Sequence, residues 1–318
     1  MSKKYLLSSL LNRLNELGEN CEFNFVTDDY KEIELEFASL KKMVPDGLYY
    51  VAEAELINDF QFEKNCVIIS NKFIDTNHLI ISHSNPQLLF YRLASSYEKK
   101  NIPVIEKSVV LSDKAKIGIN VSIGHYCVIG NCEIGNNVII RNNVVIEDNV
   151  IIGDNTLIDS NSVIGASGLA WIWDENGNRI LLPQIGGVNV GSNCILATDV
   201  TIVKGSLTEN TTIGDYTVIA HGTKIGHGCQ VGHHVHIANN VSLAGNAVVG
   251  DRSFLGSACI IAPSIKLPNN SILGAGAMLN KSFEEPFCTF AGIPAKIIKK
   301  ENFKEKPNGA PKPYFKNN

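Results

Sequence analysis

Residues 213–279 read IGDYTVIAHGTKIGHGCQVGHHVHIANNVSLAGNAVVGDRSFLGSACIIAPSIKLPNNSILGAGAML, and an aliphatic residue returns at every sixth position of this stretch. Ile213, Ile219, Ile225, Val231, Ile237, Leu243, Val249, Leu255, Ile261, Leu267, Leu273 and Leu279 keep the step without a break. A helix repeats at roughly 3.6 residues and a strand at about 2, so neither produces this spacing. A short fixed period marks a solenoid, and the hexapeptide form is a β-helix. Three hexads close one triangular coil, which stacks residues 18 apart in sequence on the same face. Four positions after each aliphatic stands a second small or branched residue, from Thr217, Thr223 and Cys229 through to Ile265. Its size suits a narrow interior. The pattern predicts a mainly β chain built on a left-handed parallel β-helix.

An earlier set of hexads runs through Leu111, Ile117, Ile123 and Ile129, loses one residue before Ile134, and continues through Ile140, Ile146, Ile152, Ile158 and Ile164. Such a deletion is absorbed at a corner of the triangle. Two interruptions follow, at 166–187 and 205–210, separated by Val190, Leu196 and Ile202 in step. The longer one carries Trp-Ile-Trp and Ile-Leu-Leu around Asp-Glu-Asn-Gly-Asn-Arg, which predicts a β-hairpin with Asn176-Gly177 in its turn. Trp171 and Trp173 on that hairpin call for a cover, either a neighbouring subunit or a substrate.

Residues 1–100 lack the hexad and predict a small α/β domain. A helix is expected over 5–17, with Leu6, Leu7, Leu10, Leu11 and Leu14 on one face. Short strands are expected at 32–37, 48–53, 66–70 and 78–82. A second helix opens at Asn85-Pro86, an N-cap with proline in the first turn. A linker at 99–103 leads to the β-helix, assigned to 104–280. Residues 281–318 are expected to form a C-terminal cap and a mobile tail.

The formal net charge of −4 gives no reason to expect nucleic acid or an anionic membrane as partner. No apolar run approaches the roughly 20 residues that span a bilayer, and Asn12, Arg13, Asn15 and Glu16 break the N-terminal apolar stretch too early for a signal peptide. A cytoplasmic protein is expected. Of eight cysteines, Cys127, Cys194, Cys229 and Cys259 fall on the inward small position, as buried thiols.

Five histidines cluster within sixteen residues: His221, His227, His233, His234 and His236. His221, His227 and His233 share one hexad slot, two residues after the inward aliphatic, where a side chain turns a corner and points outward. Successive hexads lie on different faces, so these three cannot meet within one chain. A general base needs only a cleft and a pKa near neutrality. A metal site would need ligands stacked 18 or 36 residues apart, and no histidine stands that far before any of the five; no metal is expected.

In IELEFASLKKMVPDGLYYV from residue 33, in HLIISHSNPQLLFYRLASSY at 78–97, and above all in the insertion GASGLAWIWDENGNRILLPQIGGVNVG at 165–191, the sequence resembles the UDP-3-O-acylglucosamine N-acyltransferase family of lipid A biosynthesis. The resemblance implies a uridine-like nucleotide site in the first domain, with Tyr50 stacked on the base. It carries the catalytic histidine to His227 in Gly-His-Gly-Cys, with His221 as the alternative. From a related O-acyltransferase with an Ala-Asn-Asn…Leu-Ala-Gly run it carries the thioester-polarising amide to Gly245. Trp171, Trp173, Gln184, Asn239 and Asn246 are the expected substrate contacts. The family's Asp-Arg-Gly is Val203-Lys204-Gly205 here, its Asp-Asn is Ala220-His221, and its C-terminal helices for acyl carrier protein give way to Gly-Ile-Pro-Ala-Lys-Ile-Ile-Lys. That ending is similar to the cap of CoA-dependent sugar acetyltransferases, with Lys296, Lys299 and Lys300 as expected contacts for the CoA phosphates. The expected activity is transfer of an acyl group from a thioester, acyl-CoA before acyl carrier protein, to the amine of a nucleotide-linked amino sugar, by a homotrimer without a bound cofactor. The alternatives are the lipid A enzyme itself and a non-catalytic scaffold or sugar-nucleotide sensor.

Overall fold

A computed structural model describes residues 3–25, 27–63, 65–98 and 102–300. The expected tail at 301–318 and most of the expected linker lie outside the described residues. The chain divides into two compact units at residue 100.

The first unit is a six-stranded sheet in the order β1-β3-β4-β5-β6-β2, formed by β1 (Tyr5–Leu6), β2 (Glu22–Phe23), β3 (Glu34–Phe37), β4 (Gly47–Val51), β5 (Val67–Ser70) and β6 (Leu79–Ser82). The four central strands are parallel and the two edges antiparallel. Val67, Ile68 and Ile69 are fully buried because both faces of β5 are covered, the burial expected of parallel strands. Helix α1 (Leu7–Glu16) buries Leu7, Leu10 and Leu14. Leu6, expected on that face, instead pairs with Glu34 in β1 and is exposed, because the chain enters the helix directly from an edge strand. Helix α2 (Pro86–Ser95) starts as the sequence predicts: Asn85 Oδ1 accepts the Leu88 N–H at 3.1 Å with Pro86 behind it. Its buried face is Leu89 and Leu93.

The second unit is the left-handed β-helix, three parallel sheets wound as a triangular coil. From Ile213 to Leu279 each strand pairs with the one 18 residues later, Ile219 with Ile237 and Ile225 with Leu243. The missing residue before Ile134 shortens one corner, and Ile117 pairs with Ile134 at a spacing of 17. Inward aliphatics are buried from Ile123 to Leu279, whereas Leu111 in the first coil is exposed because no earlier coil lies over it. The second inward position holds its hydroxyls by bonding them to backbone carbonyls: Thr217 to Gly232 at 2.9 Å, Ser253 to Pro268 at 3.0 Å. Burial pushes the interior thiols up, Cys229 to about 11 and Cys259 to about 12, so they pack as small hydrophobes.

Asparagine occupies left-handed corners again and again, with φ of 57° at Asn137 and Asn155 and 60° at Asn246, a conformation it tolerates better than most side chains. At the C-terminal end, Cys288–Ala291 adds in parallel to Ile272–Leu273, and Lys296–Lys300 returns antiparallel beside it. The ending closes the coil with an edge strand, while Phe283 and Phe290 pack at 4.7 Å against the core. Among the described residues no helix is long and apolar enough to cross a membrane.

Candidate active site

Both interruptions leave the β-helix at one corner. Strands Val163–Ala166, Thr201–Val203, Lys224–Ile225 and Ser242–Leu243 are neighbours in one sheet; the strands that follow them, Val188–Val190, Thr211–Ile213, Gln230–Val231 and Val248–Val249, are neighbours in the next. The hairpin, the 205–210 loop, His227 and Gly245 therefore turn the same corner on successive coils.

The two insertions are zipped together through their backbones. Ile185 N–H donates to the Ser206 carbonyl at 3.0 Å, Gly186 N–H to Gly205 at 3.1 Å, and Gly205 N–H to Gly187 at 3.1 Å. A Cβ on Gly186 would stand 2.3 Å from the Glu209 carbonyl oxygen, so only glycine fits there. The loop closes on itself through Glu209, whose carboxylate accepts the Ser206 N–H at 2.8 Å and the Leu207 N–H at 3.2 Å. Hydrogen bonds from its own amide and from Ser206 hold the Glu209 carboxyl below its ordinary range, with a smaller contribution from nearby His227.

Half-buried His227 lies under this loop. Its Nδ1 is 3.1 Å from the Ser206 hydroxyl, which in turn donates to Gln184 Oε1 at 3.2 Å. The other side of the ring covers Gly245: a Cβ there would meet His227 Nε2 at 2.4 Å. At several other corners the amide is taken by the next coil's side chain, as Asn131 N–H by Asp148 and His233 N–H by Asp251. The coil after Gly245 offers Pro263 at that position, and among the described residues nothing accepts the Gly245 N–H. A ring nitrogen and an unclaimed amide thus sit side by side on one half-buried corner, the pairing that proton transfer and stabilisation of a developing oxyanion require.

The remaining predicted residues divide by place. Asn246 follows Gly245, and its N–H donates to the His227 carbonyl at 2.8 Å. Trp171 and Trp173 stand on the hairpin (Trp171–Trp173 paired with Arg179–Leu181), 4.9 Å apart, with the Arg179 guanidinium 4.9 Å from the Trp171 ring. Both tryptophans are exposed, and Gly177 makes the turn at φ 78° as predicted. His221 and Asn239 turn a different corner, where His221 Nδ1 meets the Thr198 hydroxyl at 2.8 Å; within one chain they do not join His227. His233 occupies the third corner, with its Nδ1 accepting the Asp215 N–H at 3.0 Å. Lys296, Lys299 and Lys300 lie on the last strand, and Lys300 is paired with Glu285 at 2.6 Å. In the first unit Tyr50 is half-buried under α2, tilted against Phe90 at 5.1 Å and edge-on to Tyr91 at 6.1 Å; burial, then Tyr91, pushes its hydroxyl pKa up. Sequence reasoning missed Ser206 and Glu209. The signal was present in the break of period at 205–210, which places polar side chains one coil before His227.

The bacterial transferase hexapeptide model (six repeats) matches residues 114–148, 131–166 and 209–245, and the hexapeptide repeat of succinyl-transferase matches 246–281. Among solved structures the chain is similar to the UDP-N-acetylglucosamine acyltransferase from Campylobacter jejuni, at 28% identity and TM-score 0.55 over 61% of this chain and 73% of that one. The Francisella novicida UDP-N-acetylglucosamine acyltransferase aligns at 27% identity and TM-score 0.55, over 60% and 67% of the two chains. The Moraxella catarrhalis UDP-N-acetylglucosamine O-acyltransferase shares the fold at 24% identity and TM-score 0.56, over 61% and 73%. No curated protein matches the sequence.

Proposed function

We propose that this chain, a member of the hexapeptide-repeat acyltransferase superfamily by its repeats and its fold, transfers an acyl group from a thioester to the amine of a nucleotide-linked amino sugar. The observation that carries the reading is His227 Nε2 packed over Gly245, beside an amide that nothing else claims among the described residues. The solved relatives named as UDP-N-acetylglucosamine acyltransferases support a nucleotide sugar as acceptor.

In the proposed reaction the sugar amine attacks the thioester carbonyl and His227 takes its proton. The new bond is C–N, and the carbonyl oxygen gathers charge that the Gly245 N–H stabilises, a contribution of about 3 kcal/mol for a donor of this kind. Collapse breaks the C–S bond, and His227 returns the proton to the departing sulfur. Asn246 and Gln184 border the same corner and orient the sugar, with Trp171 and Trp173 as an apolar wall. The first unit recognises the nucleotide through Tyr50. Acyl-CoA is the favoured donor, with Lys296, Lys299 and Lys300 toward its phosphates, Lys300 from its pair with Glu285. A homotrimer completes the cleft, because His221 and Asn239 stand on a corner that can face His227 only from another copy.

The test is product mass spectrometry with a panel of UDP- and dTDP-linked amino sugars, each offered acetyl-CoA, 3-hydroxyacyl-CoA and 3-hydroxyacyl carrier protein. Amide product from a CoA thioester and an unacylated nucleotide sugar supports the reading. Turnover only with acyl carrier protein and UDP-3-O-acylglucosamine assigns the lipid A reaction instead. No product from any pair would return the chain to a binding or scaffold role.

A further inference from the structure

We propose that Ser206 is a positioning residue that holds His227 in the tautomer with its proton on Nδ1 and its lone pair on Nε2. The inference rests on the reading of His227 as general base and says what makes this histidine, among three in equivalent slots, fit for it.

The contrast between the three carries the argument. His221 Nδ1 accepts the Thr198 N–H at 3.3 Å, with the Thr198 hydroxyl also 2.8 Å away, and His233 Nδ1 accepts the Asp215 N–H at 3.0 Å. An accepting Nδ1 has no proton, so in the neutral ring the proton sits on Nε2. The regular coil thus imposes the Nε2–H form, because the corner amide of the preceding coil donates into the ring. At His227 the 205–210 loop replaces that corner, and the ring meets the Ser206 hydroxyl instead of an amide.

The hydroxyl proton is already committed. Ser206 Oγ donates to Gln184 Oε1 at 3.2 Å, and Gln184 keeps its oxygen turned that way because its amide nitrogen donates to the Leu182 carbonyl at 3.5 Å. Having given its one proton to Gln184, Ser206 Oγ can only accept from His227. The proton of neutral His227 is therefore on Nδ1, and Nε2 faces Gly245 as a bare acceptor. Ser206 itself is buried and pinned at both backbone groups, its N–H to Glu209 at 2.8 Å and its carbonyl from Ile185 at 3.0 Å. The short interruption of the repeat inverts a tautomer.

Histidine-labelled protein read by long-range proton–nitrogen NMR at pH 8 tests this without any substrate, the His227 signals being assigned by their loss in His227→Gln. The expected result is Nδ1–H at His227, Nε2–H at His221 and His233, and a shift of His227 toward Nε2–H in Ser206→Ala. Ser206→Thr keeps a hydroxyl at this position and should restore the wild-type pattern. With a substrate pair in hand, Ser206→Ala should lower kcat about 10- to 100-fold with KM little changed, less than the roughly 10²–10⁴ expected for loss of the base itself. Nε2–H at His227 in the wild type, or a Ser206→Ala protein with unaltered tautomer, overturns the proposal. Normal turnover by His227→Gln would instead remove the general-base reading and leave the tautomer result standing, so the two failures are distinguishable.

Discussion

Coils 213–279 and the corner built by 166–187 and 205–210 use the same backbone ladder toward opposite ends. In the regular coils many demands are met by the residue one turn away: the corner amides of Asp215, His233 and Asp251 find side chains, the inward hydroxyls of Thr217 and Ser253 find carbonyls, and Asn occupies left-handed corners. At the interrupted corner the sequence withholds those partners. Gly245 has no side chain, Pro263 offers no acceptor, and the preceding corner is lifted away into a loop. If the proposed activity holds, the difference teaches that in a solenoid a reactive corner is made by removing members of a ladder as much as by adding reactive groups.

The sharpest way to break that comparison is His227→Ala, which should lower kcat by about 10²–10⁴ while leaving the melting temperature unchanged, since the ring lies outside the core. Gly245→Ala comes next. Its methyl group would stand 2.4 Å from His227 Nε2, so the ring must move, and a kcat loss of about 10²–10³ is expected with the fold intact. A core change in a regular coil should do the reverse: Leu255→Ala removes a fully buried side chain and should cost about 2–5 kcal/mol by chemical denaturation, with kcat per folded molecule retained. The smallest effect concerns pH. Burial lowers the pKa of His236, packed 5.2 Å from Phe254, below the ordinary 6.5. The unfolded chain then takes up the proton first as pH falls, so stability is full above the ordinary histidine value and declines below it. His236→Gln should flatten the fall in melting temperature between pH 7.5 and 5.5; an unchanged slope would assign the fall to other groups.

The β-helix was legible because Ile, Val and Leu at a strict six-residue period admit one geometry, and the pairing of Ile219 with Ile237 follows from it directly. His227 was legible through its hexad slot and its likeness to a known motif. Ser206 was not, because its approach to His227 is created where the period fails, and no periodic rule gives the path of an off-period loop. Leu6 shows the same limit on a small scale: five leucines at helical spacing describe a face, yet the edge pairing with Glu34 takes the first of them out of it. The tautomer of His227 was beyond sequence altogether, since it depends on a Gln184 that arrives from the other insertion.

The spacing of the paired strands carries a consequence for how this corner can change. Across the hairpin Ile152 pairs with Val190, 38 residues on, and across the loop Ile202 pairs with Ile225, 23 residues on, in place of the usual 18. Closing those longer excursions costs, by chain entropy alone, roughly 0.7 and 0.2 kcal/mol more than closing a plain coil. The ladder continues past both segments with a single register shift at Ile164–Ala166, so lengthening either one away from their shared backbone contacts costs little stability. Under the proposed activity, acceptor preference is free to drift here while the solenoid stays fixed.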